Sequence, residues 1–243
     1  GFGAGGHSSA GQTNAILIGQ QAGDAGAGPT NSTLIGHHAY GAATGHAQYI
    51  TGLGGYALHG SAATTTGING AVAIGYKSLY AITSGAGNTA VGYESGVAIT
   101  SGARNTAIGY QSALNNVTGT DGTFVGYQSG LNVLLNNNTG VGAYTFQKIG
   151  TTGGGGAGEG NTALGTFAMS GGDDTVANNT AKNNVAVGYT ALGGATKSSD
   201  GSAFTAANNV AVGYQSMYSV TTGHENTAMG YKAAYSLTTA NNN

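Results

Sequence analysis

The chain has 243 residues, of which 48 are glycine, one is proline and none is cysteine. Six lysines and arginines and eight aspartates and glutamates give a formal net charge of −2 at pH 7. This balance argues against a nucleic-acid partner, because phosphate binding needs clustered cations, and the lack of cysteine excludes disulfides and cysteine-based metal sites. No apolar run approaches the ~20 residues of a membrane-spanning helix, so no such span is expected in this segment.

A short motif, an aliphatic residue followed by glycine, recurs along the whole chain. The glycines are Gly19, Gly36, Gly54, Gly75, Gly92, Gly109, Gly126, Gly142, Gly165, Gly188, Gly213 and Gly230. Five of the eleven spacings are 17 residues, and most of the others are longer. A period of this size that runs from end to end is typical of a solenoid. We therefore predict one repetitive segment over residues 1–243 with about twelve coils of 17 residues.

Two columns of each repeat predict a short strand before the glycine. The residue directly before the glycine is always apolar, and the residue three before it is always Thr, Val or Ile. Positions two apart share one face of a strand, and we assign this face to the core, with Thr89, Val91, Thr106 and Ile108 as examples. The residue between them is usually alanine, and that opposite face is expected to allow close approach of another sheet.

Each repeat is interpreted as a bend, a short strand, a glycine corner, a second short strand and a loop. Seven repeats place asparagine four residues before the glycine, where it is expected to close the bend because asparagine tolerates left-handed backbone. No helix is predicted, because β-branched residues at period two do not form an amphipathic helix. The fold class is therefore all-β, a parallel β-roll or β-solenoid.

A single coil is too small to be stable by itself. Its two or three aliphatic side chains contribute roughly 1.5–3 kcal/mol each, whereas ordering 17 residues costs roughly 1–2 kcal/mol per residue. Stacked coils share backbone hydrogen bonds and a continuous core, so that stability is collective. The core remains thin, and association of several parallel chains is expected to bury more surface.

The repeats resemble the head repeats of trimeric autotransporter adhesins, whose motif runs Asn-Ser-Val-Ala-Ile-Gly. The nearest examples are "NNVAVGYTAL" at 183–192 and "NNVAVGYQSM" at 208–217. The frequent tyrosine after the glycine is also similar to repeats in bacteriophage tail fibres. The resemblance implies a left-handed parallel β-roll in which three chains lie side by side. The 17-residue coils, the tyrosine and the long insertions depart from the adhesin pattern, so both families stay open.

The sequence contains no pattern typical of an enzyme or of a cofactor site. "GFGAGG" at the N-terminus matches a dinucleotide motif only by composition, since no strand and helix flank it. Calcium repeats are absent, because no aspartate recurs with the period. A glycan hydrolase would need two opposed carboxylates, and Asp173 and Asp174 are the one adjacent acidic pair. We therefore predict no enzymatic activity and no cofactor.

Five of the six histidines lie within the first 60 residues: His7, His37, His38, His46 and His59. A metal site would need convergent ring nitrogens, and exposed loop histidines are the favoured interpretation. A tyrosine column follows the corner glycine in most repeats, as in Tyr76, Tyr93 and Tyr110. It is predicted to form a stacked ladder rather than a strip that stacks on sugars. The threonine column invites an ice-binding interpretation, which the inward assignment of that column opposes.

The insertions point to a binding surface. Four repeats are lengthened by residues at one place in the coil, over 60–69, 150–161, 171–184 and 193–209. The last three are successive, so their loops are expected to cluster, and solenoids often bind partners on such a face. Candidate receptor contacts are Asp173, Asp174, Lys182, Lys197 and Asp200.

Together these observations predict an extracellular structural or adhesive fibre module at a cell surface or on a virion. The expected partners are two further copies of the chain and a glycan or protein receptor. The alternative is a phage tail-fibre module that binds a host glycan, and a fibre-borne glycan hydrolase is the third hypothesis.

Overall fold

The computed structural model describes residues 14–24, 28–42, 45–60, 66–133, 136–147, 158–171, 181–194 and 204–243. The protein is an all-β parallel solenoid with one three-residue strand in each of the twelve repeats. The strands are β1 Ile16–Ile18, β2 Thr33–Ile35, β3 Thr51–Leu53, β4 Val72–Ile74, β5 Thr89–Val91, β6 Thr106–Ile108, β7 Thr123–Val125, β8 Thr139–Val141, β9 Thr162–Leu164, β10 Val185–Val187, β11 Val210–Val212 and β12 Thr227–Met229. All twelve lie on the predicted positions, and the described residues contain no helix and thus no helical segment suited to crossing a membrane.

The chain forms two compact units, Gly1–Asp121 with β1 to β6 and Gly122–Asn243 with β7 to β12. Within each unit every strand pairs in parallel with the next strand along the chain, and equivalent repeat positions face each other. The long repeats keep this register, since Thr139 aligns with Thr162, and Thr162 with Val185. The inserted residues therefore leave the strand pairing unchanged.

The predicted second strand after the glycine is wrong, because this stretch is a turn. In the fourth coil Lys77 and Leu79 have φ angles of 53° and 48°, which belong to the left-handed region that side chains disfavour. Their backbone amides bond to neighbouring coils, since the Lys77 N–H donates to the Gly55 carbonyl at 3.0 Å and the Leu79 N–H to the Ser95 carbonyl at 3.1 Å. Alternate left-handed residues curl the chain while its hydrogen bonds run between coils.

The strand faces are the reverse of the prediction. The middle residue of the strand points into the coil, and Ala73, Ala90 and Ala186 have no exposed surface. The first and third residues face outward, so that Thr89, Val91 and Thr106 are half-buried and Ile108 is 38% exposed. A period of two establishes that two columns share a face, but it does not say which face is inside. In most repeats this inward residue is alanine or glycine, although Leu34 and Phe124 are also fully buried there.

Besides the middle residue of the strand, three further positions of each coil contribute to the core. The third and fourth residues after the glycine are buried, as in Ser78 and Leu79, and the seventh supplies Ile82 or Ile99. The small third residue lies against the strand, because the Ser95 hydroxyl donates to the Ala107 carbonyl at 2.7 Å. This position is small because the interior has no room for more.

The asparagines before the strands form a buried ladder rather than the left-handed bend itself. Left-handed backbone occurs one residue earlier, as at Asn183 with a φ of 54°. In the second unit the ladder runs through five successive coils: Asn138, Asn161, Asn184, Asn209 and Asn226. In each step the Oδ1 atom accepts both the backbone N–H and the Nδ2 group of the next asparagine at 2.9–3.1 Å.

Candidate functional site

The surface of each unit carries an apolar strip along its strands. We define the outer strand face as the first and third residues of every strand. Its largest exposed members in the first unit are Ile16, Ile18, Leu53 and Ile108, at 55%, 52%, 43% and 38%. In the second unit Leu164 is 47% exposed and Met229 is 74% exposed. Single exposed apolar residues are ordinary, but a repeated row of them is typical of an interaction surface.

An aromatic ladder lies on the other side of the corner glycine, with one ring per coil from the third coil of the first unit and from the first coil of the second. Its members are Tyr56, Tyr76, Tyr93 and Tyr110 in the first unit and Tyr127, Tyr144, Phe167, Tyr189, Tyr214 and Tyr231 in the second. Three repeats have Gly55, Ala143 or Thr166 directly after the corner glycine, and each of these supplies its ring from the next residue. The ladder is thus unbroken within each unit.

The rings of the ladder cover one another's faces. Tyr93 and Tyr110 have ring centroids 5.3 Å apart with planes at 8°, and Tyr189 and Tyr214 lie 5.5 Å apart at 10°. In these stacked pairs each ring shields a face of its neighbour, while Tyr93 and Tyr110 stay 44% and 43% exposed. Other neighbours, such as Tyr56 and Tyr76, are perpendicular. Stacking of sugars needs a free ring face, so this geometry supports the predicted ladder and not the sugar-stacking strip.

Charged side chains border the ladder at two places in the first unit. The Lys77 Nζ atom lies 5.3 Å from the Tyr76 centroid and 5.5 Å from that of Tyr80, within cation–π distance of both. Glu94 follows Tyr93 in the chain, and the charge of its carboxylate raises the pKa of the Tyr93 hydroxyl above its ordinary value. Glu94 Oε2 also accepts a hydrogen bond from Gln111 Nε2 at 3.0 Å.

One exposed ion pair connects two coils of the first unit. Arg104 donates to both carboxylate oxygens of Asp121, at 2.6 and 2.8 Å. The bidentate bonds raise the pKa of Arg104 and lower that of Asp121. Both groups lie at the left-handed position before a strand, so the pair links neighbouring coils.

Three of the N-terminal histidines form a ring cluster instead of lying free in loops. His37 and His38 contact Tyr56, and His59 stacks on Tyr80 at 4.9 Å. His38 and His59 lie 5.8 Å apart, and burial lowers the pKa of both imidazoles. No group of three His, Cys, Asp or Glu side chains suited to a metal ion occurs within the described residues. His7 lies outside them.

The centres of the predicted receptor loops fall outside the described part of the chain. Asp173, Asp174, Lys197 and Asp200 lie there, and so does at least half of every insertion. Lys182 is described and exposed, and its backbone forms a parallel bridge with Ala207 shortly before β10. The structure therefore does not show whether these five residues lie together.

The outer strand face is the surface that sequence reasoning missed. Its signal was present in the sequence, because the third strand residue is large while the middle residue is small in most repeats. In a narrow coil the small column belongs inside, which leaves the large column outside. Comparison with protein-family models, curated proteins and solved structures finds no significant match.

Proposed function

We propose that the chain is a structural module of an extracellular fibre in which three copies lie side by side and hold an adhesive surface away from a cell or virion. The observation that carries this proposal is the outer strand face, an exposed row of aliphatic side chains on a repetitive scaffold. The resemblance to adhesin head repeats supports the same arrangement, with the strands turned toward the neighbouring chains.

Association through the outer strand face has a clear physical benefit. Each coil buries only a few side chains, while outward strand residues such as Ile18, Leu53 and Leu164 stay 52%, 43% and 47% exposed. Removing apolar surface from water contributes about 25 cal/mol per Å², and the row repeats this contribution at every coil. The role of such a rod is mechanical, and three copies of a weak receptor contact act together as one multivalent contact.

Replacing Ile108 by glutamate is expected to break the assembly without unfolding the chain. A charge on the outer strand face would lose its hydration in the interface, which is costly for an unpaired carboxylate. Val117→Glu is the matched control, because Val117 is 39% exposed and Ile108 is 38% exposed, but Val117 lies in the loop part of the coil. The mass in solution, measured by light scattering at micromolar concentration, is expected to be that of a trimer for the native chain and Val117→Glu.

Ile108→Glu is expected to give at least a tenfold weaker assembly with an unchanged circular dichroism spectrum. A native chain that is monomeric at this concentration would contradict the proposal, as would equal effects of the two substitutions. A stable dimer or tetramer would keep the outer strand face as the interface and correct the number of chains.

A tail-fibre module that binds a host glycan through the inserted loops is the second candidate, and the four long repeats favour it. Its test is binding of the native chain to an array of bacterial surface glycans. Loss of a signal on alanine substitution of Asp173, Asp174, Lys197 and Asp200 would place the receptor site in the loops. Release of shortened glycans would indicate the hydrolase instead.

The threonine column was predicted to point inward, and that prediction was the argument against ice binding. Because the column points outward, this argument no longer holds. The threonine column is interrupted by Ile16, Val72, Val185 and Val210. The third strand residue, which shares its face, varies in size from valine to methionine. Such an uneven surface suits another protein chain better than a flat crystal plane. A monomer with measurable thermal hysteresis would reverse this preference.

A further inference from the structure

The aromatic ladder contains pairs of tyrosines whose rings are parallel, adjacent and accessible. Besides Tyr93 and Tyr110, the Tyr214 and Tyr231 rings lie 5.3 Å apart at 9°. Outside the ladder, the half-buried rings of Tyr218 and Tyr235 lie 5.0 Å apart at 1°. The ladder tyrosines named here are each more than two-fifths exposed. Neighbouring phenols held in this way form a site for oxidative chemistry that binding and assembly do not use.

We propose that the stacked tyrosines of adjacent coils are sites of dityrosine formation, which cross-links successive coils covalently. The reaction needs a one-electron oxidant such as a haem peroxidase with hydrogen peroxide. Each phenol gives up one electron and one proton and becomes a phenoxyl radical. The two radicals join through a bond between the ring carbons ortho to the hydroxyls. Both rings then regain aromaticity when the hydrogen on each joined carbon is lost as a proton and each oxygen is reprotonated. In total two tyrosines and one peroxide give one dityrosine and two waters.

The backbone holds the Tyr93 and Tyr110 pair in register. The Gly109 N–H donates to the Val91 carbonyl at 2.8 Å, and the Gln111 N–H donates to the Tyr93 carbonyl at 2.9 Å. The tyrosines therefore start from neighbouring positions on a fixed frame, and only rotation of the side chains is needed to bring the ortho carbons together. Fixing two reactants beside each other removes most of the entropy cost of their encounter.

Glu94 makes Tyr93 the preferred starting point in the first unit. The Glu94 carboxylate is the adjacent side chain, and its charge raises the pKa of the Tyr93 hydroxyl, so a base lies near the phenolic proton when the electron leaves. Loss of the proton together with the electron avoids a charged radical cation, which lowers the barrier to oxidation. The coupled product between Tyr93 and Tyr110 is therefore expected to form early.

The chain contains internal controls for exposure and for ring geometry. Tyr49 is 63% exposed, more than Tyr93 or Tyr110, and makes no ring contact with another described residue. Tyr56 and Tyr76 are neighbours in the ladder, but their rings lie 6.1 Å apart at 85°. If accessibility decided reactivity, Tyr49 would react first. If stacking decides it, the parallel pairs couple and the perpendicular pair does not.

The test treats the folded, full chain with peroxidase and less than one equivalent of hydrogen peroxide, followed by dityrosine fluorescence and mass spectrometry of cross-linked peptides. We expect a cross-linked peptide that joins Tyr93 to Tyr110. The fraction of chains that form it per unit time is expected to be independent of protein concentration. Tyr93→Phe, which keeps the ring stack, is expected to abolish this peptide, Tyr49→Phe to leave its yield unchanged, and Glu94→Gln to lower its initial rate several-fold.

Mixed light and isotope-labelled chains distinguish coupling within a chain from coupling between chains. Cross-linked peptides that contain both labels, or a yield that follows exposure and includes Tyr49, would overturn the proposal. The same distribution of products from urea-unfolded chain would also overturn it. Peptides of a single label that join parallel pairs in the folded chain alone would establish it.

Discussion

Asn184→Ala is expected to lower the free energy of unfolding by about 3–5 kcal/mol, the cost of several buried hydrogen bonds. The Asn184 side chain is fully buried and makes four bonds. Its Nδ2 group donates to Asn161 Oδ1 at 3.0 Å and to the Ala206 carbonyl at 2.8 Å. Its Oδ1 atom accepts the backbone N–H and the Nδ2 group of Asn209, both at 3.0 Å.

Alanine removes the Asn184 amide group from all four bonds and leaves the other partners in place. The buried backbone N–H of Asn209 loses its acceptor, and an unsatisfied buried group costs about 1–3 kcal/mol. The Ala206 carbonyl loses one of two donors and keeps the Lys182 N–H at 3.2 Å. The ladder is interrupted between Asn161 and Asn209, so the coupling between neighbouring coils is expected to weaken with it. Denaturant unfolding followed by circular dichroism measures the effect.

Asn183→Gly is the matched control for this substitution. Asn183 is the adjacent residue, it is exposed, and its φ of 54° suits glycine equally well. Gly70, Gly87 and Gly160 already occupy this position in other repeats. We expect a loss of no more than about 1 kcal/mol, which is the usual entropic cost of an added glycine. Equal losses for Asn183→Gly and Asn184→Ala would show that the ladder has no special role.

The first and last residues of the strands could be predicted, because every repeat carries residues that mark both ends of its strand. The corner glycine marks the end of each strand, and the β-branched column marks its start. The columns also predicted where residues are added, since strands on both sides of an insertion stay in register. Repetition turns a weak local signal into a reliable one, because twelve copies must obey the same geometry.

The inward face and the turn after the glycine could not be predicted from the same columns. Alternation shows which residues share a face of the strand, but it does not show which face points inward. That choice depends on the width of the coil, and the width depends on how tightly the chain turns. That turn depends on left-handed backbone at residues such as Lys77 and Leu79, whose types give no sign of it. Hydrogen bonds between coils impose this conformation, and they become visible only when the coils are stacked.

The receptor loops and the assembly remain predictions for different physical reasons. Inserted residues carry no repeat, so no column constrains their conformation, and Asp173 and Lys197 are identified by charge and location alone. The outer strand face, in contrast, is a direct result of the fold. Its apolar row follows from placing alanine inside a narrow coil, and it makes association of chains the first property to measure.

Gly165→Ala is expected to destabilise the chain by at least 2 kcal/mol more than the same substitution at Gly230, a corner glycine of the last coil. The two positions have nearly the same backbone, with φ angles of +128° and +126°. Both substitutions therefore carry the cost of placing a side chain at positive φ. A Cβ atom on Gly165 would lie 2.7 Å from the carbonyl oxygen of Gly188, whereas one on Gly230 would meet nothing within 4 Å.

The difference between the two variants isolates the close approach of successive coils. Relieving the overlap of the Cβ atom in Gly165→Ala requires backbone movement, because the atoms that it overlaps belong to the main chain of Gly188. That movement is opposed on both sides, since the Gly165 N–H donates to the Val141 carbonyl at 2.9 Å and the Gly188 N–H to the Leu164 carbonyl at 2.8 Å. Gly165→Ala should therefore accelerate amide hydrogen exchange in β9 and β10, and Gly230→Ala should leave exchange there unchanged. Equal losses of unfolding free energy would mean that positive φ alone requires glycine at every corner.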